Sequence, residues 1–179
     1  MNQPVQSVCI SVSPKAGNGA GRSELLRLEG LLNDAGIRCL MTSDIEELRA
    51  WGSLNHSRGA PNQKATATSK VVVAAGGDGT IALVANNTPP GVGILPMPMG
   101  TENLLARHFG YRSQASDTWE RLRINERYVM DAGRLHPSGR LFLVMVSAGV
   151  DAEVVRAMHL TRRGHIQRWH YLRHVLRAF

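Results

Sequence analysis

The run Val71-Val72-Val73-Ala74-Ala75-Gly76-Gly77-Asp78-Gly79-Thr80 holds the residues whose types and spacing could do chemistry. Its first half has the β-branched and small apolar composition of a strand buried on both faces. Three glycines and one aspartate follow, and Thr80-Ile81-Ala82-Leu83-Val84-Ala85 reads as the start of a helix. A strand, a glycine turn and a helix N-terminus together suit a phosphate. The glycines let backbone N–H groups approach an anion, and the helix start adds unpaired donors and a positive dipole end. Asp78 would repel a bare pyrophosphate, so its presence asks for a divalent cation or a hydroxyl nearby. The bland alternative is a turn capped by Asp78 or Thr80 with no ligand. Three glycines and an acid in four residues are more than a cap needs.

The segment Gly77-Asp78-Gly79-Thr80-Ile81-Ala82 also fits the loose dinucleotide pattern G-x-G-x-x-A, with Glu102 about twenty residues further on. An acid at its second position is awkward for a dinucleotide. A second glycine turn, Pro14 to Gly21, comes near a Walker A loop. Ala16 replaces its first glycine and Arg22 its lysine, and that lysine's compact charge is what reaches the outer phosphates. As a P-loop it fails; as a second phosphate-facing turn it makes sense.

The elements that must position these turns follow from periodicity. Val5 to Ser13 alternates as a first strand. Ser23 to Ala35 carries Leu25, Leu28, Leu31 and Leu32 at helical spacing, with Gly36 placed as its C-terminal cap. Ile37 to Met41 reads as a strand, and Ile45 to Trp51 as a short helix with Ser43 and Glu46 spaced as a capping box. The polar run from Gly52 to Ser69 reads as a surface loop. Gly91 to Leu95 is a further strand, and a stiff proline loop leads to a helix from Thr101 to Phe109. Two strand-end glycine turns on neighbouring parallel strands would face each other across one crevice. A helix at about Ser116 to Ile124 completes this α/β pattern. Beyond Glu126, Tyr128 to Leu135 and Arg140 to Ser147 read as a hairpin, a change of character that marks a domain boundary.

The chain has 179 residues, 43% hydrophobic and 20% charged, which excludes global disorder. No apolar run is long enough for a membrane span, no secretory leader is visible, and Cys9 and Cys39 make no disulfide framework. A reduced cytoplasmic setting is the simplest reading. The net charge of +7 calls for an acidic partner, and the arginines accumulate after Glu153. From Gly164 on, Ile166, Trp169, Leu172, Leu176 and Phe179 form an apolar stripe between arginines. Such a helix could make peripheral contact with an anionic membrane, although more often it packs on its own domain. Nothing marks a nucleic-acid binder, and the oligomeric state is not legible.

Gly76-Gly77-Asp78-Gly79-Thr80 resembles the GGDGT signature shared by diacylglycerol kinases, YegS-like lipid kinases, sphingosine and ceramide kinases, and NAD kinases. Three more segments resemble the lipid-kinase branch: Ser13-Pro14-Lys15-Ala16-Gly17-Asn18-Gly19, Pro98-Met99-Gly100-Thr101-Glu102-Asn103-Leu104-Leu105-Ala106-Arg107, and Ser147-Ala148-Gly149-Val150-Asp151-Ala152-Glu153-Val154. The resemblance implies an open, mostly parallel α/β sheet with flanking helices over residues 1–126, of the NAD kinase and diacylglycerol kinase type. The start of an incomplete β-rich second domain would follow over 127–179. It implies ATP and Mg²⁺ as cofactors and phosphoryl transfer to the hydroxyl of diacylglycerol or a related lipid, in phospholipid biosynthesis. Gly76, Gly77, Gly79 and Gly100 would approach the nucleotide through the backbone; Thr42, Thr80 and Thr101 would contact it. Asp78 would bind the cofactor and take a catalytic part, orienting the metal, its water shell or a hydroxyl.

The family's general base and metal ligands lie in a later segment, so the resemblance implies a truncated chain whose turnover needs that segment. Two departures stand out. Ser13 replaces an asparagine, and Ala82-Leu83 stands where the family carries Asn-Glu. Two other readings therefore remain: a nucleotide-binding or regulatory module without turnover, and an NAD kinase, which GGDGT alone supports.

Overall fold

The computed structural model describes residues 4–14, 19–54, 70–149, 152, 153 and 156. The loop expected within Gly52 to Ser69 and the basic helix expected from Gly164 fall largely or wholly outside them. The chain divides into two compact units, Met1–Leu143 and Val144–Phe179, and the elements below belong to the first.

Four parallel strands make the sheet: β1 (Ser7–Val12), β2 (Arg38–Thr42), β3 (Lys70–Gly76) and β4 (Gly93–Pro98). Their order is β2-β1-β3-β4. Helices connect and follow them: α1 (Gly19–Asp34), α2 (Ile45–Ser53), α3 (Asp78–Asn87), α4 (Leu104–His108) and α5 (Ala115–Ile124). The α/β sheet with flanking helices is thus the fold of this unit. Later in the same unit, β5 (Gly133–Arg134) and β6 (Leu141–Phe142) pair antiparallel in a hairpin much shorter than the sequence suggests. Among the described residues no helix is long and apolar enough to cross a membrane.

The two-residue period of a strand explains why the core has two halves. Val8 and Ile10 of β1 and Val71, Val73 and Ala75 of β3 face α1 and α5, where Leu25, Leu28, Leu32 and Leu122 close the layer. The residues between them, Cys9, Val72 and Ala74, face α2 and α3, packed by Leu48, Trp51, Ile81 and Val84. Leu28 and Leu32 are wholly buried, each worth about 2 kcal/mol of transfer free energy. Gly36 ends α1 at φ +70°, the left-handed cap its position predicts, with the Ile37 N–H donating to the Leu32 carbonyl at 2.9 Å.

Several expected bounds shift. The cap of α2 is Asp44, not Ser43: its Oδ1 accepts the Glu46 N–H at 2.7 Å. Adjacent polar residues look alike to a spacing argument, and the extended backbone at Asp44 decides between them. Helix α3 starts at Asp78, two residues earlier than expected, and α4 at Leu104, three residues later than Thr101.

The chain passes outward from β1 to β2 and then returns to the other side of β1 for β3. The order therefore reverses between β1 and β3. In open α/β sheets ligands bind at the carboxyl ends of the strands at such a point. Here those ends are held together, since the Ser13 N–H donates to the Ala75 carbonyl at 3.1 Å.

Candidate active site

At the carboxyl end of β3 the first glycine is dictated by contact. A Cβ on Gly76 would lie 2.1 Å from the Thr80 hydroxyl oxygen, because Thr80 folds back over that residue. Gly77 is the N-cap of α3, in extended conformation, and its carbonyl accepts from the N–H groups of Thr80 (2.9 Å) and Ile81 (3.3 Å). The amides of Asp78 and Gly79 precede any intrahelical acceptor. Gly79 is exposed, and a Cβ placed on it would meet nothing within 4 Å. The result is an open, exposed position beside backbone donors at the positive end of a helix, a polarity that fits phosphate oxygens.

The turn after β4 lies directly against the first. Met99 N–H donates to the Gly76 carbonyl at 2.9 Å, which extends the pairing of the two strands past their ends. Gly100 then approaches Gly77 so closely that a Cβ on it would sit 2.6 Å from the Gly77 Cα. Asn103 closes this turn as a ring: its Oδ1 accepts the Gly100 N–H at 2.9 Å and its Nδ2 donates to the Gly100 carbonyl at 2.8 Å. To do so Asn103 adopts the left-handed conformation, φ 49° and ψ 50°, which asparagine tolerates better than most residues. The turn therefore does not repeat the geometry of the first. Thr101 and Glu102 stand exposed in a bend ahead of α4 rather than inside a helix.

Asp78 joins the two turns. Its Oδ2 accepts the Leu104 N–H at 2.9 Å and its Oδ1 the Leu105 N–H at 3.0 Å. Both oxygens of the acid in the glycine turn thus cap the helix that follows the second turn. This is a partner the sequence did not suggest: neither a cation nor a hydroxyl, but backbone donors 26 and 27 residues further along.

Thr42 lies elsewhere. It is buried at the end of β2, pairs in register with Ser11 of β1, and so stands two strand spacings, roughly 10 Å, from the β3 turn. Its hydroxyl donates to Glu47 Oε2 at 2.5 Å and accepts the Asp44 N–H at 2.9 Å. Of the residues singled out from sequence, the structure brings together Gly76, Gly77, Asp78, Gly79, Thr80 and Gly100. Thr101 is at their rim, and Thr42 is set apart.

Asn86, in the last turn of α3, has a role the sequence did not suggest. Its carboxamide accepts the Leu141 N–H at 2.8 Å and donates to the Leu141 carbonyl at 2.9 Å, so it pairs with β6 as a strand would. Lys70, at the opposite end of β3 from the turn, donates to the carbonyls of Trp51 and Leu54. Burial, and then the nearby Arg38, lower its pKa.

The donor set gives different answers for the two expected cofactors. The exposed glycine turn at Gly79, at the start of α3, suits the phosphates of a nucleotide. For Mg²⁺, the described residues contain no group of three His, Cys, Asp or Glu side chains able to hold an ion. The one acid at the turn has both oxygens engaged by amides.

A family model, the diacylglycerol kinase catalytic domain, matches residues 7–135. The chain belongs to that family. The span takes in the whole four-stranded sheet and both glycine turns. Solved structures from Bacillus anthracis str. Sterne share the fold. One, described as a diacylglycerol kinase, has a TM-score of 0.56 at 20% identity, covering 86% of this chain and 53% of its own. Another gives a TM-score of 0.57 at 21% identity, covering 85% and 52%. The chain spans about half the length of these structures. No curated protein matches it. Membership of the diacylglycerol kinase catalytic domain family implies the use of a nucleotide in general terms.

Proposed function

We propose that this domain binds ATP across the two glycine turns and belongs to an enzyme that transfers the γ-phosphate to a lipid alcohol, diacylglycerol or a close relative. The observation that carries the reading is the open position at Gly79: exposed, free of side chain, and beside the first amides of α3. In phosphoryl transfer the protein's main contributions are positioning and charge stabilisation. The amides of Asp78 and Gly79 would hold phosphate oxygens, and the Thr80 hydroxyl, folded against Gly76, would border them. Thr101, exposed at the rim, would meet the nucleotide from the β4 side. Thr42 lies roughly 10 Å across the sheet, within the span of a nucleotide whose phosphates sit at the β3 turn. Mg²⁺, when it enters with ATP, neutralises phosphate charge; the described residues supply it no built site. The acceptor's general base is assigned to none of them.

A second reading, a nucleotide-binding module without turnover, draws on one observation. Leu83, where the family carries a polar residue, packs against the core formed by α2 and α3. That position therefore serves packing rather than the site.

Calorimetric titration of ATP with Mg²⁺ into the purified chain tests both. Binding, followed by phosphorylation of diacylglycerol in detergent micelles, supports the kinase; binding without product supports the module. Absence of binding in a demonstrably folded chain would sink the nucleotide reading altogether.

A further inference from the structure

We infer that Asp78 is a positioning residue, one that acts on the site by holding α4 rather than by touching a phosphate or a metal. The functional half of this inference rests on the nucleotide reading above; the structural half does not.

Helix α4 has five residues, too few to be stable on its own propensity. It also lacks a cap of its own. Its N-cap residue, Asn103, makes no side-chain bond to the helix, because both ends of its carboxamide are spent on Gly100. The first amides of α4 are satisfied from outside, and Asp78 satisfies two of them with two separate oxygens. A carboxylate accepting from two N–H groups at a helix start is charge-assisted and favoured by the local dipole.

The same contact answers the electrostatic difficulty of an acid in a phosphate turn. Asp78 sits in the first turn of α3, where its charge would oppose an incoming anion. Its two bonds direct that charge to α4, while the backbone donors of α3 stay on the Gly79 side. Asp78, the Asn103 ring and the Gly77–Gly100 approach then fix the two turns as one body. Removing the acid would free α4 and, with it, the bend that carries Thr101.

Amide hydrogen exchange followed by NMR tests the structural half without any nucleotide. In Asp78→Ala, exchange at Leu104 and Leu105 should accelerate by roughly ten-fold or more, while Val72 and Val73 of β3 stay protected. Unchanged exchange at Leu104 and Leu105 would overturn the inference whatever the protein does with ATP. Asp78→Asn, which keeps an oxygen acceptor but no charge, should recover part of that protection and most of the ATP affinity lost in Asp78→Ala. If the alanine variant does not fold, the asparagine variant carries the comparison. Recovered protection without recovered affinity would show the charge itself at work and sink the positioning role.

Titration of MgCl₂ alone into the wild type should leave the Leu104 and Leu105 amide signals in place. Their saturable displacement, with loss of protection, would show the carboxylate leaving α4 for the cation and would also overturn the inference. A wild type that protects these amides yet binds no ATP would refute the kinase reading and leave the cap standing.

Discussion

Gly100 and Gly77 meet backbone to backbone, and the approach is one-sided: a Cβ on Gly100 would lie 2.6 Å from the Gly77 Cα, whereas one on Gly77 would lie 3.4 Å from the Gly100 Cα. The first distance cannot exist without moving a main chain; the second is ordinary contact. Gly100→Ala should therefore destabilise the fold by about 1–3 kcal/mol, as forced overpacking does. Gly77→Ala should cost about 1 kcal/mol or less. Urea denaturation of the pair checks this, and equal losses would mean that the turns are not in contact as described.

Gly79 separates folding from binding. The site of its missing Cβ is open, and alanine is the better residue within a helix. Gly79→Ala should unfold at the same temperature as the wild type or slightly higher, while its affinity for ATP falls by roughly ten-fold, since even a methyl would crowd an anion seated there. Calorimetry beside thermal denaturation reads both. Unaltered affinity would place the phosphates elsewhere.

Helix α5 takes its cap from α1. Glu24 Oε2 accepts the Ala115 N–H at 2.6 Å, and the helix's own N-cap residue, Gln114, makes no such bond. Glu24→Ala should lower stability by about 0.5–2 kcal/mol, the range for losing an N-cap. A chemical denaturation curve indistinguishable from wild type would show that the contact contributes nothing.

The thiols give the fold a pH dependence on the alkaline side. Burial, with smaller contributions from Cys39 and Glu47, pushes Cys9 up from 9.0 to about 12. Burial and Glu29 push Cys39 up to about 11. The unfolded chain releases these protons near pH 9 and the folded chain does not, so over that interval the folded state binds more protons. The stabilisation is complete below pH 9 and is lost as pH climbs from 9 towards 12. Melting temperatures measured between pH 8 and about 10.5 should fall, and Cys9→Ala should flatten the decline. A thiol reagent at pH 8 should leave Cys9 untouched until the protein unfolds.

Legibility in the sequence followed the range of the forces involved. The β3 run, its glycine turn and the Gly36 cap are local patterns, and each could be read where it stands. The start of α4 could not. Thr101 looked like a helix start because it follows a glycine, yet the helix waits for Asn103 to turn left-handed and for Asp78 to offer a cap from 26 residues away. Strand order was equally hidden, since nothing in β3 itself says that it returns to pair with β1. Thr42 is a different case: the resemblance alone marked it, and the structure sets it on the far side of β1 from the β3 turn, with its hydroxyl donating to Glu47.

The bond from Glu24 to Ala115 spans 91 residues, and that span sets an order in time. Closing so long a stretch of chain costs entropy before any contact returns it, which makes such contacts late events in folding. On a ribosome, Glu24 emerges well before the amide it will cap. Helix α5 should accordingly dock after the parallel sheet has assembled, with a φ-value near zero at Glu24 in refolding kinetics. Helix α5 packs on α1, so until it docks that side of α1 must remain partly bare.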